Sequence, residues 1–134
     1  MPPAATPSPA TATPLMQLLR DRIAWTDLRQ TLLATNIANA DTPGFTPQDL
    51  TAFGATLTRR QVLLAQTEPG HRAGAGAAPP GAVPEPSPLR SPDGNAVDLE
   101  AELAHMADNQ TAHRVATQLY AKYMTMFRTT IGKA

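Results

Sequence analysis

Proline placement limits this chain more than any other feature. Fourteen prolines occur in 134 residues, five of them within residues 1–14 and seven within 68–92. Proline lacks a backbone donor and clashes with a preceding helical turn, so it breaks helix interiors and central strands alike. Residues 1–14 are therefore expected to be a disordered N-terminal segment. Residues 46–96 are expected to be an irregular, flexible connector, because "EPGHRAGAGAAPPGAVPEPSPLRSPDGN" also carries five glycines and has linker composition. The two longest proline-free stretches, 15–42 and 93–134, must hold the regular structure.

The first stretch predicts a helix over 15–41. Thr13 is the expected N-cap and Pro14 suits the first helical position. Leu18, Trp25, Leu28, Leu32 and Asn39 recur at three-four spacing, while Leu19, Ile23, Leu33 and Ile37 form a second stripe. A surface helix needs only one apolar face; this one has more. Pro43 disfavours the α region at Thr42, so the helix should stop before it. Pro43-Gly44 then suits the central positions of a type II turn.

The second stretch predicts a helix over 98–131. Leu99, Leu103, Met106, Gln110, His113, Thr117, Tyr120, Met124, Phe127 and Ile131 alternate in steps of four and three, a heptad seam. Asp98 is the expected N-cap. Glu100 and Glu102 near the start, with Arg128 and Lys133 near the end, complement the helix dipole. At the usual rise, the two helices would be about 40 and 50 Å long. Between them, Leu50, Phe53 and Leu57 fit one face of a short helix interrupted at Gly54, and "QVLLAQT" fits either a strand or a helix. The expected fold is all-α: two long terminal helices pairing as an antiparallel coiled-coil hairpin, joined by a Pro/Gly-rich, partly disordered middle.

Several function classes fit poorly. Eleven basic and eleven acidic residues cancel, which argues against a nucleic-acid binder and removes attraction to anionic membranes. No cysteine is present, so there is no disulfide framework or thiolate metal site. No apolar run approaches the roughly 20 residues of a membrane span, so no membrane insertion is expected. "MPPAATPSPATATP" has neither the charge nor the apolar core of a cleaved signal peptide.

Catalytic and cofactor signatures are equally sparse. His105 and His113 lie two turns apart, so a metal shared between them would need other ligands; one surface and one seam histidine is the simpler reading, with no metal expected. Neither GxSxG, Walker A nor a strand-flanked GxGxxG occurs, and "GAGAAPPG" is broken by proline. No cofactor and no enzyme activity are expected.

Only six residues are aromatic, and two helices on a long connector bury little. Apolar stripes of this size usually mark an interface. The residues therefore describe an interaction module whose assembly seam comprises Leu18, Trp25, Leu28 and Leu32 of the first helix. Leu99, Leu103, Met106, Tyr120, Met124, Phe127 and Ile131 supply the second.

One stretch carries a specific resemblance. "LLATNIANADTPGFTPQDL" resembles the N-terminal signature of the flagellar axial rod and hook family, ANN-x-AN-x-x-T-x-G-[FY], through Asn36, Ala38, Asn39, Thr42, Gly44 and Phe45, with Pro43 completing the turn. Thr35 stands where the family often has an asparagine, and Thr46-Pro47 where a lysine often follows the aromatic. "DTPGF" followed by "DL" is similar to the proximal rod members rather than the longer distal rod and hook proteins. "VDLEAE" and the later "NQ" match the closing helix of those members through Val97, Asp98, Leu99, Glu100, Glu102, Asn109 and Gln110.

The resemblance implies a structural subunit of the flagellar basal-body proximal rod, which transmits torque passively and conducts exported subunits. The terminal helices would pair and line the axial tube. Asn36 and Asn39 would satisfy carbonyls at the first helix's end or bond a neighbouring subunit, since asparagine otherwise disfavours helix. Implied partners are other copies of the chain, rod proteins of the FlgC, FlgF and FlgG type, a FliE-type adaptor, the inner-membrane ring and the flagellar type III export apparatus. The implied location is the rod in the periplasmic space, reached without a cleaved signal. A cytoplasmic coiled-coil adaptor or export chaperone is the alternative reading.

Overall fold

The computed structural model describes residues 14–57, 81–87 and 90–132. The order is helix α1 (Pro14–Ala38), strand β1 (Gln48–Leu50), strand β2 (Ala82–Pro84) and helix α2 (Leu99–Ile131). No helix among the described residues is long and apolar enough to cross a membrane. Thr13, the segment 1–13 and "QVLLAQT" lie outside the described residues.

Helix α2 starts as its sequence requires. Asp98 adopts an extended conformation and its carboxylate accepts from the Ala101 N–H at 3.1 Å, satisfying one of the free donors of the first turn. Helix α1 begins on Pro14 but ends at Ala38, three residues short of the expected 41. The chain tightens there: the Asn39 N–H is shared between Thr35 and Asn36 carbonyls, and the Ala40 N–H turns to Ile37. Such three-residue turns commonly close a helix.

The two helices pack antiparallel. Arg20 donates to Tyr120 Oη at one end, Thr26 lies against His113 and Asn109 in the middle, and Asn36 meets Glu102 at the other. The face α2 turns inward is rotated from the expected seam. Glu102, Asn109 and Ala116 are its buried residues, with Met106, His113 and Tyr120 half-buried beside them. Leu99 and Leu103, expected in the seam, are exposed, as are Gln110, Thr117, Phe127 and Ile131. The reason is polar. Thr26, Gln30 and Asn36 on α1 need partners, and an apolar heptad cannot supply them. Asn109 Nδ2 donates to the Thr26 carbonyl and Gln30 Oε1, both at 2.8 Å. Buried polar groups left unpaired cost more than a rotated seam.

A second surface of α1 is covered by residues on its C-terminal side. Trp25, expected on the assembly seam, is enclosed by its own chain. Its Nε1–H donates to the Thr51 carbonyl at 3.0 Å, its ring stands 6.0 Å from Phe53, and Arg22 lies 4.7 Å from its centroid. Phe53 sits in a helical turn over residues 53–57. This explains why α1 is apolar on two sides. Leu18 and Leu32 are half-buried at its margins, and Leu28 is exposed.

The connector is not irregular throughout 46–96. Strands β1 and β2 pair antiparallel, Gln48 with Pro84 and Leu50 with Ala82, and the Glu85 N–H to Pro47 carbonyl bond extends the ribbon. Arg29 holds this ribbon to α1 by a two-point contact with Asp49, Nη2 to Oδ2 at 2.6 Å and Nε to Oδ1 at 2.8 Å. Burial pushes the Asp49 carboxyl up, but the Arg29 fork and the Leu50 N–H outweigh it and hold it below its ordinary value. Proline at Pro84 is tolerated because a two-stranded ribbon consists only of edges.

Candidate functional site

The turn that ends α1 is densely hydrogen-bonded, and a distant loop builds half of it. The Phe45 N–H returns to the Thr42 carbonyl at 3.2 Å, with Pro43 and Gly44 between them and Gly44 at φ +71°. That is the type II geometry expected of Pro-Gly. Ser91 to Val97 forms a second turn, in which the Gly94 N–H reaches the Ser91 carbonyl at 2.8 Å. The two turns bond directly: Gly44 N–H to Asp93 carbonyl at 3.1 Å, and Ala96 N–H to Phe45 carbonyl at 3.0 Å. At Gly94, itself at φ +84°, an added Cβ would stand 3.5 Å from Gly44 Cα, so the contact is backbone against backbone.

Asn95 locks them together. It is buried, and its Nδ2 donates toward the carbonyls of Asn39, Ala40 and Thr42 at 3.0, 2.8 and 2.7 Å. An amide has two hydrogens, so one bond is shared. Its Oδ1 accepts from the Val97 N–H at 2.7 Å, which ties the clamp to the start of α2. Sequence patterns assign Asn95 no role; the one local signal is the turn-forming run Asp93-Gly94-Asn95.

The two motif asparagines divide the work. Asn39 behaves as a helix-end residue: its Nδ2 donates to the Thr35 carbonyl at 2.8 Å and its Oδ1 accepts from Thr42 Oγ1 at 3.1 Å. Asn36 does something else. It is 1% exposed and its side chain pairs with the Gln48 backbone like a neighbouring strand, donating to the carbonyl at 2.8 Å and accepting from the N–H at 3.0 Å. It also donates to Glu102 Oε2 at 3.1 Å. One side chain thus joins α1, β1 and α2. Burial pushes the Glu102 carboxyl up; the Asn36 amide opposes this, and Glu85 adds to it. Of the other motif positions, Thr42, Pro43 and Gly44 are exposed, and Ala38 and Phe45 are at most partly covered.

Gly44→Ala is expected to destabilise the chain by about 1–2 kcal/mol, the ordinary cost of a left-handed alanine. Space is not the obstacle, because nothing among the described residues lies within 4 Å of the added Cβ. Gly44→Asn should cost less, since asparagine visits this region more readily. Urea denaturation midpoints read both.

No protein-family model matches the chain. Curated relatives do. Over 59 residues it is 42% identical to flagellar basal body rod protein FlgB of Agrobacterium fabrum, covering 42% of this chain and 44% of that protein. Over 102 residues it is 33% identical to FlgB of Escherichia coli, covering 66% of this chain and 71% of the relative. Over 108 residues it is 33% identical to FlgB of Cereibacter sphaeroides, covering 78% and 84%. The chain belongs to the FlgB family of flagellar basal body rod proteins. In this member of the family Asn36 and Asn39 shape the exit from α1, while Glu102 and Asn109 of α2 receive α1 along the buried face.

Proposed function

We propose that this chain is a structural subunit of the proximal rod, assembling by helix packing with other copies and with neighbouring rod proteins to form the drive shaft and export tube. The observation that carries the proposal is the apolar surface α2 leaves in solvent. Leu99 and Leu103 flank the face turned to α1 on one side, and Val115, Leu119 and Met126 lie elsewhere around the helix. Phe127 and Ile131 are exposed near the end of α2, Ile131 at 67%. Apolar side chains spread around a hairpin suit a tube whose subunits touch neighbours on several sides. The subunit's role is mechanical, with no catalytic step. Its partners are other copies, FlgC-, FlgF- and FlgG-type rod proteins, and a FliE-type adaptor at the inner-membrane ring. Its route to the periplasmic rod is the flagellar type III export apparatus. A clean deletion is expected to abolish swimming and leave no rod or filament beyond the inner-membrane ring. Electron microscopy of purified basal bodies checks this, and normal motility in a strain with no second copy would overturn the assignment.

A further inference from the structure

Beside the Asn36 junction, Glu85, Glu102 and His105 converge from two parts of the chain. Their ligand-type atoms all lie within 4.8 Å of one another. Glu102 and His105 are three residues apart on α2 and therefore share a face. Glu85 arrives from the end of β2, held there by its own N–H bond to the Pro47 carbonyl at 2.9 Å. The position is built rather than accidental: both its helix and its ribbon are anchored to α1, the first by Asn36 and the second by Arg29.

Two of the cluster's buried atoms find no hydrogen-bond partner among the described residues. Glu102 is 2% exposed, and its Oε2 is oriented by the Asn36 amide. Glu85 Oε2 and His105 Nδ1 are both shut off from water, and among the described residues neither has a hydrogen-bond partner. His105 Nδ1 stands 3.5 Å from Glu85 Oε1, an ion-pair distance without hydrogen-bond geometry. Buried polar atoms are nearly always paired, so two orphans facing a buried carboxylate ask for a cation between them. Arg29 is already committed to Asp49 through both Nε and Nη2.

Distance and donor type indicate which cation. Ligands about 2.1 Å from a tetrahedral zinc are separated by about 3.4 Å, close to the 3.5 Å seen between His105 and Glu85. One imidazole with two carboxylates suits zinc and its transition-metal neighbours, whereas magnesium and calcium favour oxygen alone. The Asn36 amide on Glu102 is the kind of outer contact that fixes a metal-bound carboxylate. Spacing along α2 would pair His105 with His113 instead. Those two lie about 12 Å apart along the helix, and His113 Nδ1 is engaged with Thr26 Oγ1 at 3.0 Å and near Asp27 at 3.3 Å.

We propose that Glu85, Glu102 and His105 bind a single zinc-class divalent ion, with the fourth position left to water. Such an ion fastens the end of the β-ribbon to the first turns of α2, next to the motif asparagine. The inference stands on these residues alone and is independent of the rod assignment.

The test uses the full chain, stripped of metal with a chelator and titrated with zinc chloride at neutral pH. A single equivalent should bind by calorimetry, and the helical signal and melting temperature should rise, because ion binding favours the folded form. Cobalt(II) should give the visible absorption of a tetrahedral site. His105→Ala and Glu85→Gln should each weaken zinc binding by at least about tenfold and remove the cobalt band, while His113→Ala retains both. Absence of zinc uptake at micromolar concentrations would overturn the proposal. So would uptake that survives both ligand substitutions. Indifference to zinc in a chain made more stable by Glu85→Gln would overturn it too, and would assign the cluster a shared proton instead.

Discussion

Leu103→Asp and Phe127→Asp are each expected to abolish swimming while leaving the helical content of the isolated chain unchanged. Both side chains are exposed, Leu103 at 51% and Phe127 at 42%. Substitutions at such positions usually change folding stability by less than about 0.5 kcal/mol. In an assembled rod the balance differs. Each site would lose about 1.5–3 kcal/mol of apolar burial, and the new carboxylate would have to shed its water, at a cost of several kcal/mol more. In the proposed assembly the defect would repeat in every copy. Thr111→Asp, also exposed but removing no apolar surface, is the matched control and should swim. Fractionated basal bodies read incorporation, and circular dichroism reads the chain itself. Incorporation of both variants would show that these positions stay in solvent; loss of helicity would show that they support the fold.

Asn95→Ala should be the most damaging single change at the docked turn. It removes the donor that three carbonyls share and the acceptor for the Val97 N–H. At about 1 kcal/mol net per bond, and more where a buried group is left unpaired, the loss is about 3 kcal/mol. Asn95→Asp is expected to be worse than alanine. A carboxylate cannot donate, and its charge would face the oxygens of Asn39, Ala40 and Thr42. Urea denaturation should show a lower midpoint at unchanged slope for alanine, because the fold persists with a weaker clamp. In cells, the Pro43-Gly44 turn would no longer be held in register with the start of α2, and motility should fall sharply. An alanine variant with the parent's midpoint and motility would remove Asn95 from the clamp.

The contrast between these two sites marks where local reasoning works. Helix α1 starting on Pro14, the Asp98 cap and the type II turn at Pro43-Gly44 depend on residues within a few positions of each other. A cap or a turn is closed by neighbours in sequence, so its chemistry is written there. The family signature is legible for the same reason, because it describes one such local exit from a helix. Apolar spacing gave α1 more than one apolar side and assigned them to an assembly seam, whereas Trp25 is covered by Thr51 and Phe53 of its own chain. Spacing could not say what covers them.

Partners far apart in sequence decided the rest. Trp25 is enclosed by Thr51 and Phe53, Asn36 is spent on Gln48 and Glu102, and Asn95 reaches back more than fifty residues to the end of α1. The inward face of α2 shows the difference most plainly. Hydrophobic periodicity chose Leu99 and Leu103, whereas the hairpin buries Glu102 and Asn109. Periodicity scores each residue by its own affinity for water. A buried polar residue is stable only through a particular partner, and where that partner comes from another part of the chain, only the tertiary structure can supply it.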